Sequence, residues 1–109
     1  MRPARLQAAA AAKVHAAGGE TLRVGLVGCG SRGTGAANEA MHADKDVKLV
    51  AMADMFRERL EASRKRLRAL GGDKFDVSDE RCCVGFDAYR QLLEAGVDVV
   101  LLAAPPHFR

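Results

Sequence analysis

The stretch that most restricts this chain runs from Arg23 to Gly35, Arg-Val-Gly-Leu-Val-Gly-Cys-Gly-Ser-Arg-Gly-Thr-Gly. The apolar run Val24 to Val27 ends in Gly28-x-Gly30-x-x-Gly33, and a segment of small residues at helical spacing follows. Strand, glycine turn and helix start in that order form the context that makes a glycine pattern a dinucleotide-binding signal. The three glycines serve different ends. Gly28 permits the tight turn, Gly30 the close approach of backbone to a pyrophosphate, and Gly33 the close packing of helix on strand. The free N–H groups and positive dipole end of the helix then face the phosphates. Cys29, Ser31 and Arg32 lie inside the same turn and count with the glycines as candidate cofactor contacts.

The remaining elements follow from hydrophobic period. Thr21 to Val27 reads as a first strand buried on both faces. A first helix spans about Ser31 to Met41, with Ala36, Ala37, Ala40 and Met41 as a slim inward face. Val47 to Ala53 is a near-continuous apolar strand ending at Asp54. A second helix runs from about Phe56 to Leu70 with Phe56, Leu60, Leu67 and Leu70 inward, and Gly71-Gly72 stops it. Arg81 to Val84 is a short third strand. Asp87 is a candidate N-cap for a helix through Glu94, with Tyr89, Leu92 and Leu93 inward and Gly96 closing it. Val97 to Ala104 is the most apolar strand, and Pro105-Pro106 ends it. Strands alternating with helices predict an α/β fold, a partial doubly wound parallel sheet of Rossmann-like type comprising its first four strands.

Asp54 is the second half of the fingerprint, 21 residues past Gly33. A carboxylate there accepts from both ribose hydroxyls and repels a 2′-phosphate, which favours NAD; Arg57, three residues on, can accommodate that phosphate and keeps NADP open. A plain cap of the second helix is the structural alternative for Asp54. Pro105, Pro106 and His107 sit at the carboxyl end of the fourth strand, beside the crevice where an open α/β sheet binds its ligand. His15 and His42 have no partners at metal or catalytic spacing. No metal site is expected.

Net charge is only +3, too slight to imply nucleic acid or an anionic membrane as a partner. The basic run Arg64-Lys65-Arg66 with Arg68 reads as a solvated helix face, supported by Glu61 and Lys65 at i,i+4. Three cysteines, two of them adjacent, suit neither a disulfide framework nor a zinc site. Met1 to Glu20 stands apart as an alanine-rich N-terminal tail. It has neither a leucine-rich stretch nor an arginine pair, so a cytoplasmic location is expected; the alternative is the remnant of an export signal to the periplasm.

Leu22 to Gly33, Ala51-Met52-Ala53-Asp54, and Phe86-Asp87-Ala88-Tyr89 followed by Val97 to His107 together resemble the Gfo/Idh/MocA (glucose-fructose oxidoreductase / inositol dehydrogenase) family, in its order and spacing over about Thr21 to Arg109. The resemblance implies an NAD(P)-dependent oxidoreductase of sugars or polyols. Its nucleotide would lie at Gly28, Gly30, Gly33 and Asp54, and its nicotinamide end along the Pro105-Pro106-His107 loop. The family's Glu-Lys-Pro segment, which carries a catalytic lysine, and its substrate domain fall beyond Arg109. The expectation is therefore the first part of such an enzyme, residues 21–109 forming an incomplete nucleotide-binding domain without catalytic residues of its own. A non-catalytic nucleotide-binding or regulatory module is the alternative. An S-adenosylmethionine methyltransferase ranks last, because Val27 stands where that class has an acidic residue. Ending the sheet at its fourth strand would leave an open edge along Val97 to Ala104, which predicts self-association.

Overall fold

A computed structural model of the chain describes residues 21–103, and residues 5–8 as backbone. Among the described residues, strands and helices follow in the order β1 (Arg5–Ala8), β2 (Leu22–Val27), α1 (Ser31–Ala43), β3 (Val47–Asp54), α2 (Arg57–Gly71), β4 (Cys82–Val84), α3 (Ala88–Leu93) and β5 (Val99–Leu102). Short 3-10 turns at Gly72–Lys74 and Asp79–Arg81 bridge α2 to β4. The sheet order is β1-β5-β2-β3-β4 and every pairing is parallel. Without β1 this is the expected arrangement, four parallel strands flanked by helices, a partial Rossmann-like α/β fold.

The helices divide between the two faces. Ala36, Ala37, Ala40 and Met41 of α1 and Leu60 and Leu67 of α2 pack on Val24, Leu26, Leu49, Met52 and Leu101. Ala88 and Leu92 of α3 cover Val50, Ala51, Ala53 and Val100 on the other face. The small residues of α1 let its axis lie close to β2, which brings its first turn over the carboxyl ends of the strands.

Two expectations about helix faces are corrected. Phe56 and Leu70, assigned to the buried stripe of α2, are exposed, because they sit at the two ends of the helix where the sheet no longer covers it. Ser63 is buried in their stead, its hydroxyl 2.6 Å from that of Thr34 on α1. On the short α3 only Ala88 and Leu92 face inward, while Tyr89 and Leu93 are exposed. Asp87 stands at the N-cap position of α3 as expected, but its side chain makes no capping bond; its carboxylate accepts instead from Arg90 at 3.1 Å.

The edge expected to be open is occupied. Arg5–Ala8 runs parallel to β5, with Arg5 opposite Val99 and Ala8 opposite Leu102. β5 is thus interior, between β1 and β2, and its backbone groups meet strands on both sides. Deleting residues 1–20 is expected to uncover this edge and cause association at micromolar concentration. Sedimentation analysis of the shortened chain measures it; a monodisperse, cooperatively folding monomer would show that β1 protects nothing.

Candidate nucleotide site

The site grows out of the end of β2. Gly28 turns the chain at φ 92°, in the left-handed region that side chains disfavour. Its N–H donates to Ala53 O at 2.9 Å, and the Ala103 N–H donates to Val27 O at 2.9 Å, so the turn is held from both flanking strands. α1 begins at Ser31, and Gly30 at its cap position supplies no side-chain acceptor for the first-turn N–H groups. First-turn N–H groups have no acceptor within their own helix and are the natural partners of an anion. Gly33 lies against the turn itself: a Cβ there would overlap Gly28 O and come within 3.2 Å of Ala103 Cβ. Gly30 is different. Its backbone is extended, φ −76°, and a Cβ would have nothing nearer than Arg59 at 3.9 Å. Nothing in the packing of the described residues demands glycine at 30, so the space above it is open to a ligand.

Asp54 ends β3 beneath this turn. Its Oδ2 accepts from the Cys29 N–H at 2.6 Å and its Oδ1 from the Phe56 N–H at 3.0 Å, while its backbone carbonyl accepts from the Gly85 N–H at 3.1 Å. One carboxylate therefore ties the glycine turn to the loop that leads into α2, and the residue is only 6 % exposed. Asp54 does not cap α2, whose N-cap is Phe56 and which receives no side-chain capping bond; its carboxylate ties the two loops and keeps lone pairs beyond the two in use.

Two hollows flank the turn. A crevice of about 190 Å³ is lined by Gly28, Asp54, Met55, Phe56, Arg59, Phe86 and Tyr89 among others. Phe86 is 92 % exposed there, which makes the crevice strongly apolar at its mouth. A larger cavity of about 660 Å³ lies between α1 and α2, lined by Gly30, Ser31, Asn38, Ser63, Arg59 and Arg66 among others. Asn38 Oδ1 is buried and has no hydrogen-bond partner among the described residues.

The structure thus gathers Gly28, Cys29, Gly30, Ser31, Gly33 and Asp54 around one point. Arg32 is exposed and lines neither hollow. Arg57 also lies outside both and pairs with Glu61 at 3.4 Å. Pro105, Pro106 and His107 lie outside the described residues. Sequence reading misses Phe86, Tyr89, Met55 and Arg59. An aromatic directly after Gly85, at the carboxyl end of a strand, is the signal that could find Phe86.

Compared with known proteins, the chain matches no family model, no curated protein and no solved structure. Among the described residues no helix is long and apolar enough to cross a membrane, and no group of three metal-ligating side chains converges.

Cys29 contributes backbone, not thiol chemistry. Burial, helped by the neighbouring Asp54 charge, pushes its thiol far above the ordinary value of 9.0, and Sγ donates to Ala53 O at 3.4 Å. Burial likewise raises Cys82 and Cys83. A thiol that keeps its proton in the folded state and loses it in the unfolded one stabilises the fold below pH 9, and that contribution falls as pH rises beyond it. The slope approaches about 1.4 kcal/mol per pH unit for one such thiol. Urea unfolding at pH 8 and pH 10 is expected to show a larger loss for wild type than for Cys29→Ala; equal losses would show that Cys29 does not carry the pH dependence.

Proposed function

We propose that the chain binds a nicotinamide dinucleotide, NAD or NADP, as the nucleotide-binding part of an oxidoreductase of Gfo/Idh/MocA type that acts on a sugar or polyol. The observation that carries the reading is Asp54 under the glycine turn, with open space over Gly30 on one side and an apolar crevice on the other. Adenine is a flat apolar ring that suits the crevice between Phe56, Phe86 and Tyr89. The ribose would take the remaining acceptor sites of Asp54, and the pyrophosphate would lie over Gly30 against the first-turn N–H groups of α1. Bound there, the cofactor supplies hydride transfer. The chain's own residues bind and orient it: Gly28 and Gly33 set the turn, Asp54 locks it, and Ser31 opens the helix that faces the phosphates.

Calorimetric titration with NAD+ and NADP+ tests this. Gly30→Ala is expected to leave the circular dichroism spectrum and the urea midpoint nearly unchanged, because its Cβ has room. It is expected to weaken dinucleotide binding by about tenfold or more, because the methyl occupies the space assigned to the pyrophosphate. Folded wild type that binds neither nucleotide would sink the proposal.

A further inference from the structure

The strand β1 is the least strand-like piece of the sheet, yet it pairs with the most apolar one. Its residues are Arg5, Leu6, Gln7 and Ala8, none of them β-branched or aromatic, whereas β5 reads Val99, Val100, Leu101 and Leu102. The register fixes where each β1 residue stands. Residues paired across a parallel sheet share a face. On the face covered by α1 and α2, one row runs Leu49, Val24, Val99 and ends at Arg5. The next runs Met52, Leu26, Leu101 and ends at Gln7. Both rows are apolar and buried until they reach β1. On the opposite face the rows through Val100 and Leu102 end at Leu6 and Ala8.

Strands inside a parallel sheet are covered on both faces and carry continuous apolar runs. The place beside β5 continues two such rows, and polar residues hold the two positions where the rows would go on. Arg5–Ala8 therefore supplies the ladder with backbone partners but leaves the rows unfinished. A strand of the same length with apolar residues opposite Val99 and Leu101 would make the same ladder and extend the rows as well. Ala8 and Leu22 are separated by residues 9–21, so β1 can leave β5 without displacing β2. A second copy of β1 is not the better occupant. It brings the same Arg5 and Gln7, and it competes against a segment tethered at high effective concentration.

The geometry points to the edge of β5 as a docking site for an uncharged, extended segment of another protein, which adds as a parallel strand in place of Arg5–Ala8. The segment carries Val, Ile or Leu opposite Val99 and Leu101, and small or apolar residues opposite Val100 and Leu102. Main-chain hydrogen bonds supply affinity and the two row ends supply selectivity. The inference goes beyond the dinucleotide reading and does not depend on it, since Val99 to Leu102 line neither hollow.

The test titrates the full chain into a dye-labelled peptide, Lys-Lys-Val-Val-Ile-Val-Lys-Lys, and reads fluorescence anisotropy. Wild type is expected to bind it, and to ignore a control peptide with proline in place of isoleucine, which breaks the ladder. Arg5→Val with Gln7→Val completes both rows in the chain itself. That variant is expected to melt about 4 °C or more above wild type, and to bind the peptide about tenfold or more weakly, because a stronger resident strand must leave. Of two successive strand residues one directs its N–H at the neighbouring strand, so Leu6→Pro with Gln7→Pro removes a ladder bond. It is expected to bind the peptide about fivefold or more tightly. Circular dichroism checks each variant, and wild type decides alone should the proline variant not fold. A peptide bound by neither folded wild type nor the proline variant, or bound equally by wild type and the valine variant, would overturn the docking site. So would equal binding of the control peptide. A valine variant no more stable than wild type would show that Arg5–Ala8 is a finished edge.

Discussion

Gly33→Ala is expected to cost the fold more than about 3 kcal/mol, on the order of the largest single-site effects. Helix propensity argues the other way: alanine inside a helix is favoured over glycine by about 1 kcal/mol. Packing decides. A Cβ on Gly33 would sit against Gly28 O and Gly28 C, inside the 3.0 Å limit that real Cβ atoms observe or at it. Neither neighbour is a side chain that can swing away. Both belong to the turn that Ala53 O, Asp54 and Ala103 hold in place. Relief therefore requires α1 to lift from the sheet, opening the layer formed by Ala36, Ala37, Ala40 and Met41. Gly35, two residues on in the same helix, is the matched control. A Cβ there meets nothing within 4 Å, so Gly35→Ala is expected to stabilise by about 0.5–1 kcal/mol. Urea unfolding of the pair measures the difference, and Gly33→Ala as stable as Gly35→Ala would refute the close-approach explanation.

How much of this is legible in the sequence depends on whether the signal is local. The strand β3 and the helices α1 and α2 are readable because their apolar periods run for eight to fifteen residues. The glycine turn is readable because the φ of Gly28 and the clearance at Gly33 are properties of a few neighbouring residues. The ends of elements are not readable in this way. Phe56 and Leu70 keep the period of α2, but the period does not report where the sheet stops covering the helix. Six-residue α3 is too short for its face to be read, so the pattern wrongly turns Tyr89 and Leu93 inward. Arg5–Ala8 gives no strand signal, since arginine and alanine are not β-formers; it pairs because β5 offers an edge far along the chain. Arg59 is hidden for a related reason. In sequence it is one of several charged residues on a solvated face, and only its place beside both hollows distinguishes it. The glycine turn and Asp54 are therefore visible in the sequence, whereas Met55, Arg59, Phe86 and Tyr89, which also line the hollows, are not.

Asp54 is where fold and proposed function can be separated by experiment. Asp54→Ala removes both acceptors and leaves the Cys29 and Phe56 N–H groups without a partner; a buried unsatisfied donor costs about 1–3 kcal/mol. A total loss of about 3 kcal/mol is expected, enough to threaten a domain whose whole stability is of order 5–15 kcal/mol. Asp54→Asn is the informative variant. Its amide has one oxygen, so it can serve either Cys29 or Phe56 but must turn its NH2 toward the other donor. It should fall between wild type and alanine, losing about 1–2 kcal/mol. A residue that only ties two loops together would show nothing beyond that loss. If Asp54 also holds a ribose, the folded asparagine variant is expected to bind NADP+ and NAD+ about tenfold or more weakly, since a charged acceptor is replaced by a neutral one at the same place. Titration well below the unfolding midpoint of Asp54→Asn, with the folded fraction fixed by circular dichroism, separates the two. Wild-type affinity in that variant would leave Asp54 a structural tie and move nucleotide recognition to the helix start at Ser31.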